Sequence, residues 1–458
     1  MISAIALDLG STSIKAGLLD QQGMLTHIVA QPAPHIDADG GRYESDALCY
    51  AEIAGQVLAA CLAQADNQPP LGLCSQRSSF LIWEQASGKP VTPLISWQDT
   101  RGAETCLALQ AQEALITELT GLRLTPYFFA PKLRVVLQQN PQWRERLLRG
   151  ELLVGTLDTF LVWRWTGGKH YLTDVSMAAR TLLMDIRRQQ WSPELCDLFG
   201  IPLSILPTIH PSSGLNVRLD NGLILQASLG DQSAALLASV GEAREVALVN
   251  LGTGGFVIRY LAADRSDADG YLRTLVFQDS SRQTHIAIEG TLNSIAAALE
   301  GYPVAACRID ELASNDIYCL AEPSGIGAPY FRKDLGMLGS QPMAHLSQKE
   351  LAGLLLEAII FRVARILEEF NQGAALQRVY LSGGLSELPC LQQGIAQCVA
   401  FDVYKLPQRD ASLQGAGMLA AGIRLAAHTA AEKVQVEQVN LALRKKFSHW
   451  KVWLDSLL

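Results

Sequence analysis

Twice in this chain a buried strand breaks into a short turn rich in glycine and hydroxyl residues and at once resumes as a second strand. The first instance is Ile2 to Asp20, ISAIALDLGSTSIKAGLLD. Ile5 and Leu7 mark a buried strand, Asp8-Leu9-Gly10-Ser11-Thr12-Ser13 is the turn, and Ile14 to Leu19 is the return. The second is Val246 to Arg259, VALVNLGTGGFVIR, in which Asn250 to Gly255 stands where Asp8 to Ser13 stood. Either one alone also reads as an ordinary hairpin with a polar turn. Their recurrence in the two halves of the chain points to a duplicated fold, with a boundary near Gly241 and domains spanning 1–240 and 241–458.

The turn chemistry suits a phosphate. Gly10 lets the backbone approach a ligand without a Cβ in the way, and the N–H groups of Ser11, Thr12 and Ser13 can form an anion-binding nest. A carboxylate at Asp8 would repel phosphate unless a divalent cation lay between them, held through water as Mg²⁺ prefers.

A chain of 458 residues exceeds one ordinary core, which independently favours two domains of an α/β protein. A formal net charge of −8 argues against a nucleic-acid surface. Nine cysteines, odd in number and without a C-x-x-C pair, read as reduced core thiols. The N-terminus enters a strand directly and no apolar run is long enough to cross a membrane, so a cytoplasmic location is expected.

Leu25 to Ala30 reads as a third strand, Pro32 to Gly41 as a loop, and Ser45 to Ala65 as a helix with Leu48, Ile53, Val57, Leu58, Cys61 and Leu62 inward. Leu71 to Ser79 is a strand running into a polar loop that carries Arg77, the kind of strand end where α/β domains bind ligands. Trp97, at a strand end, and Tyr127 read on general grounds as core aromatics. Leu157 to Trp165 is a helix with capping residues at Thr156 to Thr159, and Asp231 after Gly230 reads most simply as a helix N-cap. In the second half Ile286 to Glu289 leads into a helix through Leu299. Ser324 to Tyr330 is a rigid loop, and Glu350 to Phe370 is a long helix whose apolar stripe is core. Arg378 to Leu381 is a strand ending in Ser382-Gly383-Gly384-Leu385. Ser412 to Ala427 is a close-packed small-residue helix, and a charged helix with Trp450 and Trp453 follows from Ala430.

In this order the pieces resemble the FGGY family of ATP-dependent carbohydrate kinases, over roughly Ile2 to Ala427, and most of all its glycerol kinase branch. The resemblance is carried by Ser75-Gln76-Arg77 with Ile82-Trp83-Glu84 and Gly88-Lys89-Pro90, Trp97-Gln98 with Arg101, and Pro126-Tyr127-Phe128. Gly155 to Thr159, Gly230-Asp231-Gln232, Gly252-Thr253-Gly254 and Gly327-Ala328-Pro329-Tyr330 complete it. It implies two actin-like (ribonuclease H-like) α/β domains flanking a deep cleft, the superfold of sugar kinases, hexokinase and heat-shock ATPases. ATP and Mg²⁺ are the implied cofactors and a small polyol or sugar the substrate. No nucleic-acid or membrane partner is implied, and the relatives are commonly homodimers or homotetramers.

Position by position, the resemblance makes Asp231 the general base and Asp8 the residue that organises Mg²⁺. Gly10, Ser11, Thr12, Ser13 and Lys15 would face the phosphates, Gly252 and Thr253 would close over them, and Gly327, Gly383, Gly384 and Leu385 would lie along the nucleotide. Arg77, Ser78, Trp97, Tyr127, Gln232 and Phe256 match positions that hold the polyol. The roles of the first domain are thus substrate binding, the first phosphate turn and the base, and that of the second is nucleotide binding. Ser78 stands where glycerol kinases carry a glutamate, which removes a hydrogen-bond acceptor and points to a larger polyol or a ketose instead of glycerol. Val135, Phe331-Arg332-Lys333 and Leu388 also depart from the family pattern. The competing reading is a nucleotide-dependent sugar sensor of the same fold with little catalysis.

Overall fold

The apolar run Ala4–Leu9 lies in the middle of a six-stranded sheet and is buried along almost its whole length, which is why it carries so little polarity besides Asp8. In the computed structural model, which describes residues 2–261, 270–373, 375–407, 410–424, 431–436 and 438–458, the strand order is Ser213–Arg218, Ile224–Gly230, Leu71–Ser75, Ala4–Leu9, Ser13–Leu19 and Leu25–Pro32. Ala4–Leu9 pairs antiparallel with Ser13–Leu19 through the first turn and parallel with Leu71–Ser75, which in turn runs parallel to Ile224–Gly230. Leu9 and Gly230 therefore both stand level with Ser75, and three chain segments leave the sheet at one end. That end is where a parallel α/β sheet presents its loops.

The chain divides into two compact units. The first comprises Met1–Gly241, Thr274–Ile286 and Asp410–Leu425, and the second Glu242–Arg273, Ala287–Arg409 and Ala426–Leu458. In the first unit the helix Ala47–Leu62 is capped by Asp46, whose carboxylate accepts from the N–H groups of Leu48 (2.8 Å) and Cys49 (3.1 Å). Its inner face includes Tyr50, Ala54, Val57 and Cys61, whereas Leu48, expected inside, points to solvent because the cap places it on the outer side of the first turn. The small-residue helix Ala411–Ala421 packs on the sheet so closely that a Cβ at Gly72 would run into the Ala416 carbonyl. It ends at Gly422 in a left-handed cap, short of the expected end at Ala427, and residues 425–427 of that expectation lie outside the described residues.

A five-stranded sheet completes this unit, and it revises one expectation. Pro32 to Gly41 is not all loop: Asp37–Asp39 pairs with Arg42–Ser45, a hairpin too short and too polar to show a hydrophobic alternation.

The second unit repeats the first pattern. Val246–Leu251 is antiparallel to Gly255–Tyr260 and parallel to Arg378–Ser382. The strand at Ile286 is longer than expected, running from Thr284 to Leu292 before the short helix Ile295–Leu299. The helix Gln348–Gly373 is buried on nearly every side in its middle, since the terminal helix Leu441–Leu457 packs Phe447 and Trp450 against Phe361 at ring separations of 5.4 and 5.7 Å. Trp450, fully buried, donates its indole N–H to the Cys319 carbonyl (3.0 Å), so the final helix is part of this core.

Candidate active site

At the loop end of the first sheet, Asp8 stands opposite Lys15 in register, one residue before the strand gives out. Gly10 is required there: a Cβ would lie 2.8 Å from the Ser13 carbonyl that closes the turn. Asp8 Oδ2 accepts a 2.6 Å hydrogen bond from Ser412, while Oδ1 is buried with no protein partner. Burial pushes the Asp8 carboxyl up to about 6, and the nearby charge of Asp231 adds to the rise against the opposing pull of Ser412. Lys15 is paired with Asp410 at 2.5 Å. Asp410 and Ser412 enter the site from the far end of the sequence; their only local signal is a polar step just before the small-residue helix.

Asp231 begins the helix Asp231–Val240, with Gly230 as its N-cap residue. The expectation of an Asp231 cap is corrected: the aspartate occupies the first helical position, with its Oδ1 3.5 Å from Arg77 Nε and accepting the Gln232 N–H at 2.7 Å. Burial raises its pKa, opposed by the positive charges of Arg77 and Arg180 and by the Gln232 N–H. Gly230 makes room for this, because a Cβ would come 2.7 Å from Arg77 Cδ. Its N–H donates to Ser176 Oγ (2.8 Å), and Ser176 donates to Asp174 Oδ1 (3.0 Å). Asp174, fully buried, also accepts from the N–H groups of Ser176 and Met177 (both 2.9 Å) and from the Ser212 hydroxyl (2.6 Å). The segment that presents Asp231 is thereby anchored from behind.

Arg77 donates to Gln232 Oε1, which joins the two residues matched to polyol binding beside Asp231. Trp97 and Tyr127 are 40% and 48% exposed, so the core reading of these aromatics is set aside. Ser78 is placed differently from the expectation of a substrate contact. It is buried in a left-handed conformation (φ 64°) and donates its proton to the Arg180 carbonyl at 2.9 Å. Lys132, fully buried, donates to the carbonyls of Ser78 (2.9 Å) and Ser96 (2.8 Å), the neighbours of Arg77 and Trp97. A buried lysine serving two carbonyls 18 positions apart has no signature in local sequence.

Among the described residues no group of three or more His, Cys, Asp or Glu is arranged to hold a metal. A single carboxylate with one buried, unpartnered oxygen fits a cation that keeps most of its waters, as Mg²⁺ does.

In the second unit the two glycine segments are neighbours. Asn250 stands level with Ser382 and donates to its hydroxyl at 2.9 Å, which sets Gly252 and Thr253 beside Gly383 and Gly384. Gly383 (φ 88°) is pressed on the Leu251 carbonyl, Gly384 is exposed with open space where a Cβ would be, and Leu385 is half-buried. Phe256 is half-buried on the strand Gly255–Tyr260 of this unit. Gly327 is packed against Thr291 with its N–H donated to Glu322 (2.8 Å), so its amide serves the loop itself.

The model of the FGGY family of carbohydrate kinases matches residues 3–233 with its N-terminal domain and 247–422 with its C-terminal domain. A glycerol kinase of Polaromonas naphthalenivorans is 30% identical over 452 residues, covering 92% of this chain and 90% of that protein. An apulose kinase of Pectobacterium atrosepticum is 31% identical over 442 residues, covering 91% and 88%. The solved structure of Plasmodium falciparum glycerol kinase with ADP superposes with a TM-score of 0.85 at 21% identity, over 99% of this chain and 98% of that one. A xylulose kinase from Brucella ovis gives 0.82 at 20% identity, over 99% of each chain. The chain belongs to the FGGY family of carbohydrate kinases.

Proposed function

We propose that this protein transfers the γ-phosphoryl group of ATP to a hydroxyl of a small polyol or sugar, with Asp231 as general base. The observation that carries the assignment is the register of the first sheet, which brings the Asp8 turn, the Arg77 loop and Asp231 out at one end. Phosphoryl transfer needs chiefly alignment and charge neutralisation, together with one carboxylate on the nucleophile. Asp231, held by Arg77 and the Gln232 N–H, accepts the proton of the attacking hydroxyl as its oxygen bonds to phosphorus and the bond to the β-phosphate oxygen breaks. ADP leaves, and the proton passes to solvent.

Asp8 is the residue that would hold Mg²⁺, which when bound neutralises the phosphate oxygens. Ser11, Thr12, Ser13 and Lys15 face the phosphates, Gly252 and Thr253 do so from the second hairpin, and Gly383, Gly384 and Leu385 line the nucleotide. Arg77 and Gln232 bind acceptor hydroxyls, while Trp97, Tyr127 and Phe256 cover its carbon skeleton. The protein works in the cytoplasm, where its nine free cysteines stay reduced; among the described residues no helix is long and apolar enough to cross a membrane.

The relatives named above include kinases of glycerol and of ketoses. Ser78, which follows Arg77, brings no carboxylate to accept from glycerol and turns its hydroxyl to the Arg180 carbonyl, so a ketose or a larger polyol is the preferred acceptor. The test is ADP release with ATP and Mg²⁺ across glycerol, tetritols, pentitols, ketopentoses and ketohexoses, with Asp231→Asn alongside. The variant should lose about two to four orders of magnitude in turnover and still bind ATP. An active Asn variant would overturn the base assignment, and glycerol as best acceptor would overturn the role given to Ser78. ATP binding without turnover on any acceptor would favour a sugar sensor.

A further inference from the structure

Trp97 and Gly10 belong to different parts of the site, the wall of the acceptor pocket and the phosphate turn, yet a single file of hydrogen bonds joins them. The Trp97 N–H donates to Ser79 Oγ (2.9 Å), and the Ser79 hydroxyl donates to Gln76 Oε1 (2.8 Å). Gln76 Nε2 donates to the Tyr50 hydroxyl (2.9 Å), and Tyr50 donates to the Gly10 carbonyl (3.1 Å). Every proton points the same way, from Trp97 toward Gly10, so each bond polarises the next. The three side chains are 0%, 3% and 0% exposed for Tyr50, Gln76 and Ser79, and water cannot replace a link that breaks. Burial pushes the Tyr50 phenol up to about 12, which keeps its donated proton in place at any working pH.

Two inner links of the file are also tied to neighbouring backbone. The Gln76 N–H donates to the Leu9 carbonyl (3.0 Å), one residue before Gly10, and the Leu157 N–H donates to the Ser79 carbonyl (3.2 Å). The file therefore adds a side-chain tie between two backbone segments that are each held separately, the turn by the Ala33 N–H on the Thr12 carbonyl (3.0 Å) and the Trp97 segment by Lys132 on the Ser96 carbonyl (2.8 Å). A displacement of the Gly10 carbonyl must break the Tyr50 bond or move the chain behind it. Tyr50 and Gln76 have no part in the transfer as described, and a purely local role would require neither the shared direction nor the two backbone ends.

We propose that Tyr50 and Gln76 are positioning residues that tie the Trp97 wall of the acceptor pocket to the phosphate turn, so that nucleotide bound at Gly10 to Ser13 also fixes Trp97 for the acceptor. The proposal rests on the reading of that turn as a nucleotide site. Backbone amide exchange of Trp97, followed with and without ADP and Mg²⁺, tests it without needing the acceptor. In the wild type ADP should slow this exchange about fivefold or more, the lower bound of ordinary coupling between two sites. In Tyr50→Phe and in Gln76→Met, ADP should still bind while Trp97 exchange stays unchanged.

Failure of the wild type to bind ADP would overturn the nucleotide reading and the link with it. ADP binding that leaves Trp97 exchange unaltered in the wild type, or equal slowing in both variants, would overturn the link alone. Should Tyr50→Phe not fold, the wild-type comparison and Gln76→Met decide the question.

Discussion

Ser412 donates a 2.6 Å hydrogen bond to Asp8 Oδ2 across 404 positions of sequence, and this contact does most to favour the ionised form of a carboxyl that burial lifts to about 6. The proposed cation role needs Asp8 ionised, so turnover should fall as pH drops through about 6. Ser412→Ala removes a contact that lowers this pKa, and the acid limb of the rate profile should move to higher pH. An unmoved limb would separate Asp8 from the profile.

The same shift has a stability consequence. Asp8's folded pKa lies above its ordinary 3.8, so its contribution is full below that value and is lost as pH rises through about 6. Without divalent cation, Asp8→Asn should therefore be more stable than the wild type above that window, with the advantage fading toward pH 4. Denaturant titrations at several pH values check this.

Ser176 is the link between the Gly230 N–H and Asp174, and Ser176→Ala leaves Asp174 its bonds from Met177 and Ser212. The segment presenting Asp231 should loosen, lowering kcat by up to about a hundredfold while the KM for acceptor changes little. A rise in KM with kcat intact would mean that Ser176 serves the pocket instead of the base.

Lys132→Met leaves the Ser78 and Ser96 carbonyls without their donor, at a cost of about 1–3 kcal/mol, and should raise the acceptor KM more than the KM for ATP. Burial lowers the lysine's pKa to about 7. Its folded value lies below the ordinary 10.5, so its contribution is full above that pH and lost as pH falls through about 7. The wild type should gain stability over the methionine variant between those limits.

In the second unit Arg362 and Glu322, each 1% exposed, pair at 2.7 Å, and Glu322 also accepts the Gly327 N–H. Glu322→Gln strands a buried guanidinium charge and should destabilise this unit by about 3–5 kcal/mol in denaturant unfolding. A variant with apolar residues of similar volume at both positions should lose much less.

Much of the site was legible in the residues themselves. The two hairpin turns follow from strands that break at glycine and hydroxyl clusters, the helix Gln348–Gly373 follows from apolar periodicity, and Leu157–Trp165 follows from the polar residues at its start. Arg77, Asp231 and Gln232 were nameable because they stand in short fixed strings. The hairpin Asp37–Asp39 with Arg42–Ser45 was not, because its strands are held by backbone bonds to partners that a local pattern does not show.

By itself the sequence determined the family, the duplicated pattern and the chemical character of each turn, since these depend on backbone dihedrals and on spacing within a few residues. Only the tertiary structure decided which remote side chains complete them. Asp410 holds Lys15, Ser412 holds Asp8, Lys132 fastens the Arg77 and Trp97 loops, and Ser78 turns to the Arg180 carbonyl. The reason is that a buried polar group must find a partner wherever the packed chain offers one, and sequence distance places no limit on that choice.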